Sequence, residues 1–175
     1  MTVSSNPLLN KLRGADRRSI GQSNQIVATI LRRPELFPQL MRGLWNADPL
    51  IRMRAADAAE KVSLRRPDLL QPFKAKLLRL LDEATQQELR WHLAQMVPRL
   101  ALSKKDRMRA AASLRCHFED KSSIVRTSAM QALTDLASAD AKLVPELRDL
   151  LITLTESGTA AMRARGRKLL RQLDR

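Results

Sequence analysis

The chain has 175 residues and a formal net charge of +14, from 32 Lys and Arg against 18 Asp and Glu. Hydrophobic residues make up 44% and aromatics only 3%, so alanine and leucine must supply the packing, and the absence of sustained period-two alternation excludes a strand-based fold. A single cysteine, Cys116, excludes a disulfide framework and fits a reducing compartment, and no apolar run reaches the roughly 18 residues of a membrane span.

Taken from its start, Met1-Thr2-Val3-Ser4-Ser5-Asn6-Pro7 lacks the basic-then-apolar order of a signal peptide, so a cytoplasmic location is expected. Residues 1–15 read as a flexible lead-in, with Pro7 suited to open a short helix. Asp16 is expected to cap a helix running to about Leu31, with a seam of Ile20, Val27 and Leu31. Asn24 falls on that seam, either as a buried polar contact or as the mark of an imperfect N-terminal cap. The phrase Leu31-Arg32-Arg33-Pro34-Glu35-Leu36 then announces a helix and returns as Leu64-Arg65-Arg66-Pro67-Asp68-Leu69, with a partial copy at Val144-Pro145-Glu146-Leu147. Proline sets φ for the first turn, and the carboxylate beside it favours the positive end of the helix dipole.

These phrases predict first helices over 34–45, 67–82 and 143–156, with a further one over 104–118, where Ser103 and Asp106 resemble a capping box. Second helices are predicted over 49–62, 85–97, 122–137 and 159–173, joined to the first by short polar turns that force antiparallel pairs. The second helices share a frame. Ile51-Arg52 with Ala55, Ala58 and Val62 returns as Val125-Arg126 with Ala129, Ala132 and Leu136, and more loosely around Arg90 and Arg163. The four arginines (52, 90, 126 and 163) recur at a nearly constant period of about 37 residues, the sign of a repeat array.

Asp48-Pro49-Leu50-Ile51-Arg52-x-x-Ala55-x-x-Ala58-Ala59 resembles the second-helix signature of HEAT repeats, Asp-Pro-x-Val-Arg-x-x-Ala-x-x-Ala-Leu, and Ser123-Ile124-Val125-Arg126-x-x-Ala129-x-x-Ala132-Leu133 matches it nearly as well. The copy over 85–97 lacks the Asp-Pro, and the copy over 159–173 carries Gly166 in place of an alanine. The resemblance implies an all-α, right-handed α-solenoid of the armadillo type. Four helical hairpins (about 34–62, 67–97, 104–137 and 143–173) would follow an N-terminal capping helix, in a single domain over 16–175, with second helices lining the concave side. It also implies that the arginine frame pairs with turn aspartates or turn carbonyls of neighbouring repeats.

For function, Trp91 is the first residue to weigh. It falls ~200° around its helix from Leu89, opposite the Leu89-Leu93-Met96 seam, taking ~100° per residue. There it is either a partner anchor or a wedge against a neighbouring hairpin. Met53, Arg90, Trp91, Arg126 and Met130 are the candidate partner-binding residues. Trp45 aligns with Leu78 in the Leu-Arg-Arg-Pro frame and is expected in the core.

Charge adds a second surface. Residues 1–33 hold six basic side chains against one acidic, and residues 141–175 hold eight against four, so the excess sits towards both ends. In the last helix Arg163, Arg165, Arg167, Lys168 and Arg171 cover the arc opposite a Met162-Gly166-Leu169-Leu170-Leu173 seam. They form a candidate polyanion-binding face, or a basic cap that keeps a terminal repeat soluble.

No catalytic constellation emerges. His92 and His117 lack partners at useful helical spacing, Cys116 and His117 point ~100° apart, and there is no glycine-rich phosphate loop, zinc spacing or nucleophile elbow. The HEAT-like alkylpurine DNA glycosylases suggest an enzyme reading, with Trp91, Glu88, Asp57 and Glu60 in their tryptophan and carboxylate roles, but no local motif of that family is present. The expectation is a non-catalytic binding or scaffold module without cofactor or metal. Its partner would be a protein with an acidic or helical segment, with nucleic acid as the alternative and no membrane.

Overall fold

The computed structural model describes residues 6–14, 16 and 19–174. Among these the regular structure is entirely helical, and the chain divides into two compact units, Met1–Phe73 and Lys74–Arg175. The division falls inside the predicted second hairpin.

In the first unit, α1 (Pro7–Asn10) begins where Asn6 accepts hydrogen bonds from the amides of Leu8 (3.1 Å) and Leu9 (3.4 Å). The Asn6 amide also donates to the Gln39 carbonyl at 3.0 Å, and Leu8, Leu9 and Leu12 are buried. Of the lead-in expected over 1–15, residues 6–12 thus bury three leucines, and residues 1–5 and 15 lie outside the described part. Helix α2 (Ser23–Arg32) starts six residues later than a cap at Asp16 predicts. Its buried side is Ser23, Ile26 and Ile30, while Ile20 and Asn24 are exposed.

The first helix predicted over 34–45 is divided. A 3-10 turn at Pro34–Leu36, α3 (Phe37–Met41) and a second 3-10 turn at Arg42–Trp45 succeed one another. Pro38 opens α3, and the three-residue period of the final turn rotates Trp45 off the seam. Trp45 is 44% exposed, so the core position inferred from its alignment with Leu78 is overturned. Helix α4 (Pro49–Arg65) is the centre of the unit. Asp48 caps it by accepting from the Leu50 amide at 2.8 Å, with Pro49 in the first turn as the sequence predicts. Its alanines 55, 56, 58 and 59 are all fully buried, and such short side chains let α2 and α3 both pack against it.

The second unit contains α5 (Lys74–Glu83), α6 (Gln87–Met96), α7 (Lys104–Cys116), α8 (Ser123–Ala137), α9 (Val144–Ser157) and α10 (Ala160–Leu173). The second helices α6, α8 and α10 lie side by side, with α8 between the others, while α7 packs on α5 and α8, and α9 on α8 and α10. The Ser103 hydroxyl accepts from the Asp106 amide at 3.1 Å, half of the expected capping box. The Asp106 carboxylate turns instead to Lys74, at 3.1 Å. Caps at Ser122 and Thr159 open α8 and α10 in the same way. Between the first-helix elements the charges are paired across helices: Arg109 with Asp82 at 2.6 Å, and Arg115 with Glu146 at 2.7 Å.

Candidate functional site

Three of the four frame arginines hydrogen-bond carbonyls of their own turn, and Arg90 also crosses to the next turn. Arg52 donates to the carbonyls of Asn46 (2.7 Å) and Ala47 (3.0 Å), and Arg163 donates to the Gly158 carbonyl (2.7 Å). Arg90 donates to the Ala84 carbonyl at 2.6 Å and bridges to Asp120 of the next turn. Burial alone would raise the Asp120 pKa, but the Ser122 amide and the Arg90 guanidinium outweigh it and hold the carboxyl below its usual range. Arg126 buries its Nε without a hydrogen-bond partner. Arg90 is thus committed to joining two turns rather than waiting for a ligand.

Met130 is corrected outright. It is fully buried, so it is core and has no surface to offer a partner. Met53 is half-buried and Trp91 likewise, with the indole 5.4 Å from the His92 ring, centroid to centroid. Asp57, considered above as a catalytic carboxylate, accepts from Ser23 and pairs with Lys61 at 2.8 Å. It is a tie between α2 and α4.

What the sequence did not mark is a groove between α6 and α8 of about 240 Å3, lined by Gln95, Pro98, Arg99, Ser128, Gln131 and Asp135 over a floor of Ala94 and Ala132. Gln131 is oriented from both ends: Arg165 of α10 donates to its Oε1 at 2.9 Å, and its Nε2 donates to Asp135 at 2.9 Å. Much of Asp135 is open to solvent, yet lost hydration at its carboxyl raises its pKa, against the opposing pull of Gln131, Arg99 and Arg165. The one sequence signal available was the register of Gln95 and Gln131, each five residues after a frame arginine.

A second hollow of about 350 Å3, on the other helix layer, is lined by Leu81, Asp82, Arg90, Ala112, Ser113, Cys116 and His117. Burial, followed by the nearby Arg90 charge, lowers the His117 pKa and keeps its ring neutral. Asp82 is the reverse: burial opposes its ionisation, but bonds from Ser113 and Arg109 hold its pKa down. Among the described residues no group of three or more His, Cys, Asp or Glu is placed to hold a metal ion, and no helix is long and apolar enough to cross a membrane.

The predicted basic face is intact on α10. Arg163, Arg165, Arg167, Lys168 and Arg171 are all exposed, while Met162, Gly166 and Leu169 are buried against the rest of the unit.

No family model matches the sequence, and no curated protein does. Among solved structures, a designed armadillo repeat protein, YIII(Dq)4CqI, is similar over 96% of this chain and 81% of its own, with a TM-score of 0.62 and 16% identity. The fold is accordingly an all-α solenoid of the armadillo type.

Proposed function

We propose that this protein is a non-catalytic repeat module that binds a protein partner on the second-helix face of its second unit, across Trp91, Gln95 and Gln131. Folds of the armadillo type generally serve as protein-interaction scaffolds, and the capped Asp48-Pro49 frame supports reading these repeats as HEAT-type. The observation that carries the proposal is the held orientation of Gln131. An amide fixed by Arg165 and Asp135 presents its remaining hydrogen-bonding capacity to an incoming chain without paying to immobilise it first. Trp91 supplies apolar area on the same helix as Gln95. A segment carrying both acidic and amide groups fits a groove walled by Arg99, Gln131 and Asp135.

The test is photo-crosslinking in nuclease-treated lysate from a reactive residue placed at Gln95 or Gln131, with exposed Lys105 of α7 as the control position. Discrete protein adducts from the two groove positions, absent from the control, are expected. Equal labelling at all three positions would refute the groove as the binding surface.

A further inference from the structure

We propose that α10 is a docking helix for duplex DNA, gripping the phosphate backbone without reading sequence, on a surface that borders the groove described above through Arg165. The argument starts from how the other cations of this unit are used. Helix α7 is as basic in sequence as α10, yet Arg107, Arg109 and Arg115 each face a carboxylate: Asp140 (3.7 Å), Asp82 (2.6 Å) and Glu146 (2.7 Å). On α10 no carboxylate of the described residues pairs with any of the five cations. Arg163 gives one donor to the Gly158 carbonyl and Arg165 one to Gln131, and a guanidinium has five. The nearby Asp174 is taken by Arg148.

The arrangement of these cations selects the partner. At ~100° per residue, Arg163 and Arg165 bound an exposed arc of ~200° on α10, with Arg167, Arg171 and Lys168 between them. Ala164 is near the middle of this arc, between Arg171 and Lys168. A helix with cations across its exposed side and on both flanks suits a groove with phosphates on both walls. The major groove of B-form DNA, ~12 Å wide, admits an α-helix, whereas that of A-form RNA is too deep and narrow. The exposed arc carries no aromatic residue to stack on single-stranded bases and no large apolar residue to enter a bilayer. It equally lacks the buried aromatic or apolar anchor on which a protein interface is built.

Fluorescence anisotropy of a labelled 20-base-pair DNA with the full-length protein, over a range of salt, tests this. Each phosphate contact contributes ~0.9 to the slope of log affinity against log salt, so replacing Arg163, Arg167 and Arg171 together with Gln should flatten the slope by nearly three. The triple Lys variant keeps the charges and should retain most of it. A control variant replacing exposed Lys104, Lys105 and Lys121 with Gln removes the same net charge and should leave most of the slope. Circular dichroism melting checks that each variant folds. Equal losses in the α10 and control variants would overturn the proposal by reducing binding to net charge. Tighter binding of duplex RNA, polyglutamate or phosphatidylserine vesicles than of duplex DNA would overturn it by naming another occupant.

Discussion

Arg54 offers the sharpest test of how the first unit is held together. The residue is 3% exposed, and its guanidinium is not paired with a carboxylate among the described residues. Instead the guanidinium donates to four backbone carbonyls: Leu12 (2.8 Å), Arg13 (2.9 Å), Asp16 (2.8 Å) and Ser19 (3.0 Å). One side chain of α4 thereby fixes the connection between α1 and α2. Gly14 and Gly21 have φ of +149° and +56°, and a Cβ on either would stand about 3 Å from the Arg54 guanidinium. Each hydrogen bond to a charged group contributes ~1.5–3 kcal/mol when made. Three of the four carbonyls are only partly buried and regain water once the loop opens, and removing the arginine also removes its own desolvation cost. Arg54→Ala should therefore cost ~3–5 kcal/mol, the range for breaking a buried charged pairing rather than the sum of four bonds. Arg54→Lys should recover only part of this, because three ammonium donors cannot reproduce the planar fork. Urea unfolding gives the energies, and amide hydrogen exchange over residues 12–21 localises them. If Arg54→Ala lost under ~1 kcal/mol, or left those amides as protected as before, the clamp would be incidental and the argument wrong.

Gly166→Ala places a Cβ 1.9 Å from the Thr155 hydroxyl oxygen, so it should cost ~1–3 kcal/mol by overpacking despite the better helix propensity of alanine. Adding Thr155→Ala should restore most of that in a double-mutant thermal melt. Trp91→Ala should change stability by under ~1 kcal/mol while reducing crosslinked partner yield, whereas the ~3–5 kcal/mol loss typical of a core tryptophan would exclude an anchoring role. His117 has a folded pKa below that of the unfolded ring, so the unfolded chain takes up the proton first. Stability should then fall as pH drops below ~6.5, and urea midpoints of His117→Gln should be flatter through that range. Asp82, Asp106 and Asp120 have lowered folded pKa values, so their contribution is present above ~pH 4 and is lost as pH falls further.

The fold was legible in the sequence because a repeat writes the same local rules several times. Asp48-Pro49 and Ser103 fix where helices begin through contacts two and three residues away, and chain-local contacts do not depend on the rest of the molecule. The Pro-carboxylate phrases at 34 and 67 open 3-10 segments, Pro34–Leu36 and Pro67–Phe73, ahead of the α-helices. The frame arginines follow a local rule too, since Arg52, Arg90 and Arg163 reach back five or six residues to carbonyls of their own turns. The resemblance implied partners in neighbouring repeats instead, which Arg90 finds in Asp120. Legibility failed wherever a residue's place depends on another helix. Trp45 left the core because its turn changed period, and Met130 is sealed because α8 lies between neighbouring helices. Leu12 and Arg13 are held because Arg54, some forty residues away, donates to their carbonyls. The charge pattern makes the same division. Composition establishes that α7 and α10 are both basic, but a cation is neutralised only by a carboxylate that tertiary packing brings within reach. That packing supplies partners for Arg107, Arg109 and Arg115 and leaves the row on α10 facing outward.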